Sequence, residues 1–135
     1  MGLDASALIG APEIAAANVN PSGFGKRAGL REAGLAGEAL AAVSSGRPPA
    51  GTPEFRRIAR LVVTNEEVAL VAIERGRLSG VLARVPRNTV VSAEVGGGLL
   101  NTPVTIAFQD GGAWRFEVSR LIRRQAQAVV DVLNR

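Results

Sequence analysis

"RIARLVVTNEEVALVAIERGRLSGVLARVP", residues 57–86, decides the fold. It holds three apolar runs, "RIARLVVT" (57–64), "EVALVAIE" (67–74) and "LSGVLARV" (78–85), rich in valine, leucine and isoleucine. Turn formers separate them: Thr64-Asn65 after the first and Arg75-Gly76-Arg77 after the second. Short apolar runs bounded by turn chemistry at close intervals read as antiparallel strands of a sandwich or small barrel.

The same rhythm continues toward the C-terminus. "TVVSAEV" (89–95) follows the loop "PRN", "PVTIAFQ" (103–109) follows "GGGLLNT", and "AWRFEV" (113–118) follows Asp110-Gly111-Gly112. Asp-Gly supplies the positive φ angles of a tight hairpin, so the last two runs pair. Side chains alternate along a strand, which puts Trp114, Phe116 and Val118 on one side and Arg115 and Glu117 on the other. Three apolar residues on one side mark a core face, so the only tryptophan reads as a core filler. "SRLIRRQAQAVVDVLNR" (119–135) is then an amphipathic helix, with Ser119 as cap and Leu121, Ile122, Ala126, Val129, Val130 and Leu133 as its apolar face. Such a helix buries that face against the preceding sheet.

Toward the N-terminus the signals weaken. "EALAAVSS" (38–45) reads as the first of seven strands, closed by the proline-rich loop "GRPPAGTPEF". Ahead of it, "KRAGLREAGLAGEAL" places Leu30, Leu35 and Ala39 at helical spacing, although each interior glycine weakens a helix by roughly 1 kcal/mol. The first 25 residues show no sustained period. The expected organisation is an N-terminal extension, 1–36, partly helical or flexible, and one domain, 37–135. The expected fold class is mainly β with one C-terminal α-helix: a seven-stranded antiparallel sandwich or barrel capped by that helix.

Composition limits the chemistry. With 47% hydrophobic residues the 135-residue chain is globular, but only four phenylalanines and one tryptophan leave aliphatic side chains to fill the core. There is no cysteine and no histidine, so thiolate chemistry, disulfides and an imidazole base are excluded. The reading is therefore non-enzymatic, with no cofactor and no metal. Adjacent Glu66 and Glu67 would point to opposite faces of a strand and form no acid-base pair. The net charge is +4, and Lys26 is the only basic residue that is not an arginine. The N-terminal stretch carries an acid rather than a positive region, and no apolar run reaches about 18 residues, which predicts a soluble, cytoplasmic protein.

Seven short strands and a final helix, with Thr64-Asn65 closing an apolar strand, Pro86 and Val90 at the step into a later one, and "GEALAAV" as an opening strand, resemble bacterial PH-like and GRAM-like domains of the pleckstrin-homology superfold. The last helix carries no tryptophan, unlike most eukaryotic members, so the likeness is to the bacterial ones. The resemblance covers roughly residues 37–135. It implies a binding or scaffold module acting through protein contacts or self-association, with a homo-oligomer among the outcomes.

Two candidate sites follow. The loops that hold anionic head groups in some PH domains correspond here to Arg47, Arg56, Arg57, Arg75 and Arg77, whose guanidinium groups suit bidentate contacts with an anion. That gives an alternative function, peripheral binding to an anion or acidic membrane surface, with Glu54 and Glu74 beside the same loops. Leu99 and Leu100, in "VGGGLLNTP", form a candidate interaction loop for a protein partner or a second copy; the loop lacks the Lys-Ser/Thr of a phosphate-binding loop. Arg120, Arg123 and Arg124 open the last helix on its polar side, where cations oppose the helix dipole unless an acid or a bound anion compensates. Nucleic acid is disfavoured, because no aromatic pair or recognition helix accompanies the charge.

Overall fold

A computed structural model describes residues 4–22, 51–97 and 101–135. Seven strands form one antiparallel sheet: β1 (Ala15–Pro21), β2 (Ala59–Val63), β3 (Glu67–Glu74), β4 (Arg77–Pro86), β5 (Val90–Val95), β6 (Asn101–Phe108) and β7 (Ala113–Ser119), in the order β4-β3-β2-β1-β7-β6-β5. Among the described residues two helices flank it, α1 (Ser6–Ile9) and α2 (Arg123–Leu133), and 3₁₀ turns, η1 (Arg87–Thr89) and η2 (Arg120–Ile122), link β4 to β5 and β7 to α2. The mainly β class with one C-terminal helix is as the sequence predicts.

The first strand is not where the sequence places it. Residues 15–21, expected in an extension, form β1 at the centre of the sheet: Ala15 to Val19 pair with β2, and Asn20 and Pro21 pair with β7. A domain boundary at residue 36 therefore cuts off the strand that joins the two halves. The expected strand at 38–45 and the helical spacing at 26–40 lie outside the described residues. "AAANVNP" escapes a propensity reading because alanine and asparagine are poor strand formers. Packing explains the choice, since Ala17 and Val19 are fully buried in the same cluster as α2, and small side chains let the helix lie close over the central strand.

The core lies between the inner face of the sheet and α2. Leu61, Val63, Val68, Leu70, Val104, Ile106, Trp114, Phe116 and Val118 meet Ala126, Val129, Val130, Val132 and Leu133. A smaller cluster covers the opposite face, where Ala5 and Ile9 from the α1 segment sit on Val62, Ala69 and Val71. β2 and β3 are thus buried on both sides, and their apolar runs are continuous rather than alternating for that reason.

Two bidentate arginine pairs tie α1 to the sheet. Arg60 Nε and Nη2 donate to the Glu13 carboxylate at 2.9 and 2.8 Å, and the Ala5 N–H donates to Glu13 Oε2 at 2.7 Å. Arg84 Nε and Nη2 donate to Glu67 at 2.9 and 2.6 Å, and Arg84 Nη2 also reaches the Ile9 carbonyl at 2.7 Å. The hydrogen-bonded Arg84 guanidinium holds the Glu67 carboxyl below the usual glutamate range.

The end of α2 is fastened by two side chains that give no local sequence signal. Arg87, on η1, donates to the Val132 carbonyl at 2.7 Å and to the Thr64 carbonyl at 3.3 Å, so one guanidinium links the last turn of the helix to the β2–β3 turn. The Asn134 amide accepts from the Ala93 N–H at 2.9 Å and donates to the Ala93 carbonyl at 2.8 Å. It supplies to the outer edge of β5 what a residue of a neighbouring strand would supply.

Candidate functional site

Register brings the two arginine-bearing loops of the described residues together. Ala59, the first residue of β2, pairs with Ala72, while Glu74 pairs with Arg77 across the β3–β4 turn. Arg56 and Arg57 therefore precede β2 at the same end of the sheet at which Arg75 and Arg77 flank Gly76. The Asn20 side chain fixes this approach by donating to the Arg57 carbonyl at 2.6 Å. All four arginines are exposed, and so are Glu54 and Glu74 beside them. The ion pairs Glu13–Arg60 and Glu67–Arg84 involve none of the four. Arg47 lies outside the described residues.

Arg75 holds an uncommon backbone conformation. Its φ is 52° and that of Gly76 is 75°, the paired positive angles of a type I′ hairpin turn. Gly76 adopts this without strain, but a side chain with a Cβ pays roughly 1–2 kcal/mol in the left-handed region. Asparagine or glycine is the usual choice at the first central position, so an arginine there holds its guanidinium at the tip at a cost in stability.

Leu99 and Leu100 lie outside the described residues. Their flanks are placed: the Gly96 N–H donates to the Pro103 carbonyl at 2.8 Å, and Asn101 pairs with Ser119. Asn101 thus lies beside the end of β7.

Trp114 is core, as its strand phase predicts. It is 4% exposed, with Phe108 edge-on at 5.2 Å and Phe116 at 6.2 Å between ring centroids. The hairpin ahead of it forms as expected: Gly111 has φ 88°, and Asp110 Oδ1 accepts from the Gly112 N–H at 2.8 Å.

The start of the last helix departs from expectation at one residue. Ser119 does accept from the Leu121 N–H, at 3.3 Å, but residues 120–122 form a 3₁₀ turn and the regular helix begins at Arg123. At about 100° per residue Leu121 stands roughly 120° from the centre of the face made by Ile122, Ala126, Val129, Val130 and Leu133, and the tighter turn, about 120° per residue, does not bring it back. Ile122 packs against the core, Leu121 turns outward to 93% exposure, and Val132 joins the buried face.

Among the described residues, no three acidic side chains converge to hold a metal ion, and no helix is long and apolar enough to cross a membrane. Comparison with protein-family models, with curated proteins and with solved structures gives no match to this chain.

Proposed function

We propose that this chain is a non-enzymatic binding module, PH-like in kind, that works through protein contacts and uses the arginine-bearing end of β2, β3 and β4 to hold an acidic partner segment. The observation that carries this is the convergence of Arg56 and Arg57 with Arg75 and Arg77 at one sheet end, with Arg75 kept in a strained backbone conformation. The seven strands and the single C-terminal helix support the PH-like part.

A protein partner suits this end better than the alternative, an acidic membrane surface. Glu54 and Glu74 stand exposed among the arginines and repel a broad anionic bilayer that must cover them too, whereas a narrow acidic segment can follow the arginines and leave the carboxylates in solvent. Strand addition at the sheet edges is the less favoured route. Asn134 already occupies the outer edge of β5 at Ala93. No strand of the described residues lies outside β4, but two bulges, at Ser79 and at Leu82, interrupt its ladder and twist that edge away from a partner.

The test is titration of a labelled Asp/Glu-rich peptide into the full chain at low and high salt. Binding should weaken as salt screens the arginines. Arg75→Glu with Arg77→Glu should cost about tenfold in affinity at low salt, at up to about 1 kcal/mol for each exposed pair lost. No binding at low salt, or equal binding by the double variant, would sink the proposal. Light scattering of the free chain separates it from self-association, which predicts a dimer or larger species without any peptide.

A further inference from the structure

The start of α2 carries the most exposed large apolar side chain among the described residues, set within a group of cations. Leu121 is 93% exposed on η2, while its neighbour Ile122 turns inward against the core. Arg120, Arg123 and Arg124 surround it in sequence, and all three are exposed. At spacings of three and four residues they share one side of the helical turn. Neither η2 nor the first turn of α2 carries an acidic residue, and none of the three arginines takes part in the Glu13–Arg60 or Glu67–Arg84 pairs. The positive end of the helix dipole adds to their repulsion.

We propose that this patch docks the chain on an anionic lipid bilayer, with Leu121 entering the acyl boundary and Arg120, Arg123 and Arg124 contacting the head groups. The chemistry differs from that of the β2–β3–β4 end, where carboxylates stand among the arginines. Here, among the described residues of η2 and the first turn of α2, the charge is of one sign and Leu121 protrudes beside it. A protruding leucine has no role in contacting a phosphate backbone, but at a bilayer surface it adds apolar burial to charge attraction. The protein contact proposed above uses other residues. Thr52, leading toward Arg56 and Arg57, bonds to the Ala113 carbonyl and the Arg115 N–H at the start of β7, while Leu121 follows the end of β7. The two contacts do not compete for the same side chains.

Flotation of the full chain with vesicles tests this, using phosphatidylcholine alone and phosphatidylcholine mixed with phosphatidylglycerol. The chain should float with the mixed vesicles at low salt and remain behind with phosphatidylcholine alone. Leu121→Ser should lower the partition coefficient about tenfold, since its full apolar surface no longer enters the bilayer. Each Arg→Gln change at 120, 123 or 124 should lower it about fivefold. Because these side chains are exposed, the variants should keep the wild-type emission of buried Trp114, which checks the fold. Arg75→Glu with Arg77→Glu should float like the wild type, so a failure of the acidic-peptide proposal leaves this result unchanged. The proposal is overturned if the chain floats with neither vesicle, or if the Leu121 variant floats as well as wild type. It is equally overturned if flotation is lost only with the Arg75 and Arg77 changes, or if the three arginines serve only duplex DNA binding in a gel-shift control.

Discussion

Single residues in this chain are set by the backbone they occupy as much as by what they touch. Arg75 is the clearest case, because φ of 52° is a conformation that asparagine tolerates and arginine resists. Arg75→Asn should therefore stabilise the chain by roughly 0.5–1 kcal/mol, read as a higher urea midpoint at unchanged slope. The same change should weaken acidic-peptide binding. A lower midpoint would show that the Arg75 side chain makes up for its backbone strain, and would remove the reason for seeing function there. Sequence reasoning found Arg75 as a loop arginine but had no access to its φ, which the hairpin register imposes. Leu121 shows the opposite limit. It is apolar by type, but a uniform step of about 100° already sets it about 120° from the centre of the face made by Ile122, Ala126, Val129, Val130 and Leu133, and the 3₁₀ turn after Ser119 leaves it in solvent.

At the level of elements, the α1 segment is too short to be a stable helix by itself and holds its place through contacts with the sheet. Ala5 and Ile9 supply a small apolar contact; Arg60 and Arg84 supply directional ones. The Arg84–Glu67 pair gives this attachment a pH dependence whose sign is fixed. Glu67 is held below its ordinary pKa in the folded chain, chiefly by the Arg84 hydrogen bond, so its contribution is present above the ordinary glutamate range. It is lost as pH falls through the lowered folded value, where the carboxylate takes up a proton. Hydrogen exchange at the Ile9 and Gly10 amides, which bond to Ala5 and Ser6, should accelerate relative to the β2 and β3 amides once the pH is brought below that range. Parallel slowing of all these amides with acid, as intrinsic exchange chemistry alone would give, would count against the clamp. In the sequence both arginines are legible only as polar interruptions of apolar strands. Their partners are Glu13, 47 residues away from Arg60, and the Ile9 carbonyl, 75 residues away from Arg84.

For the whole molecule, β1 is the element on which the sheet depends. It pairs with β2 on one side and β7 on the other, so a chain beginning at residue 37 would leave both strands without that neighbour and expose the inner positions that Ala17 and Val19 cover. Such a truncation should lose the cooperative thermal transition of the full chain; a sharp transition near the full-length Tm would show that the sheet closes without β1. The sequence by itself determined the six strands from β2 to β7, the Asp110-Gly111 hairpin, the burial of Trp114 with Phe116 and Val118, and the existence of the final helix. These rest on local alternation, turn chemistry and helical period, which are written in neighbouring residues. Only the tertiary structure decided that an alanine-rich segment becomes the central strand and that Arg87 and Asn134 fasten the end of α2. Those outcomes depend on which surfaces are left to cover and which backbone groups are left to pair once the sheet has formed, and no local pattern carries that information.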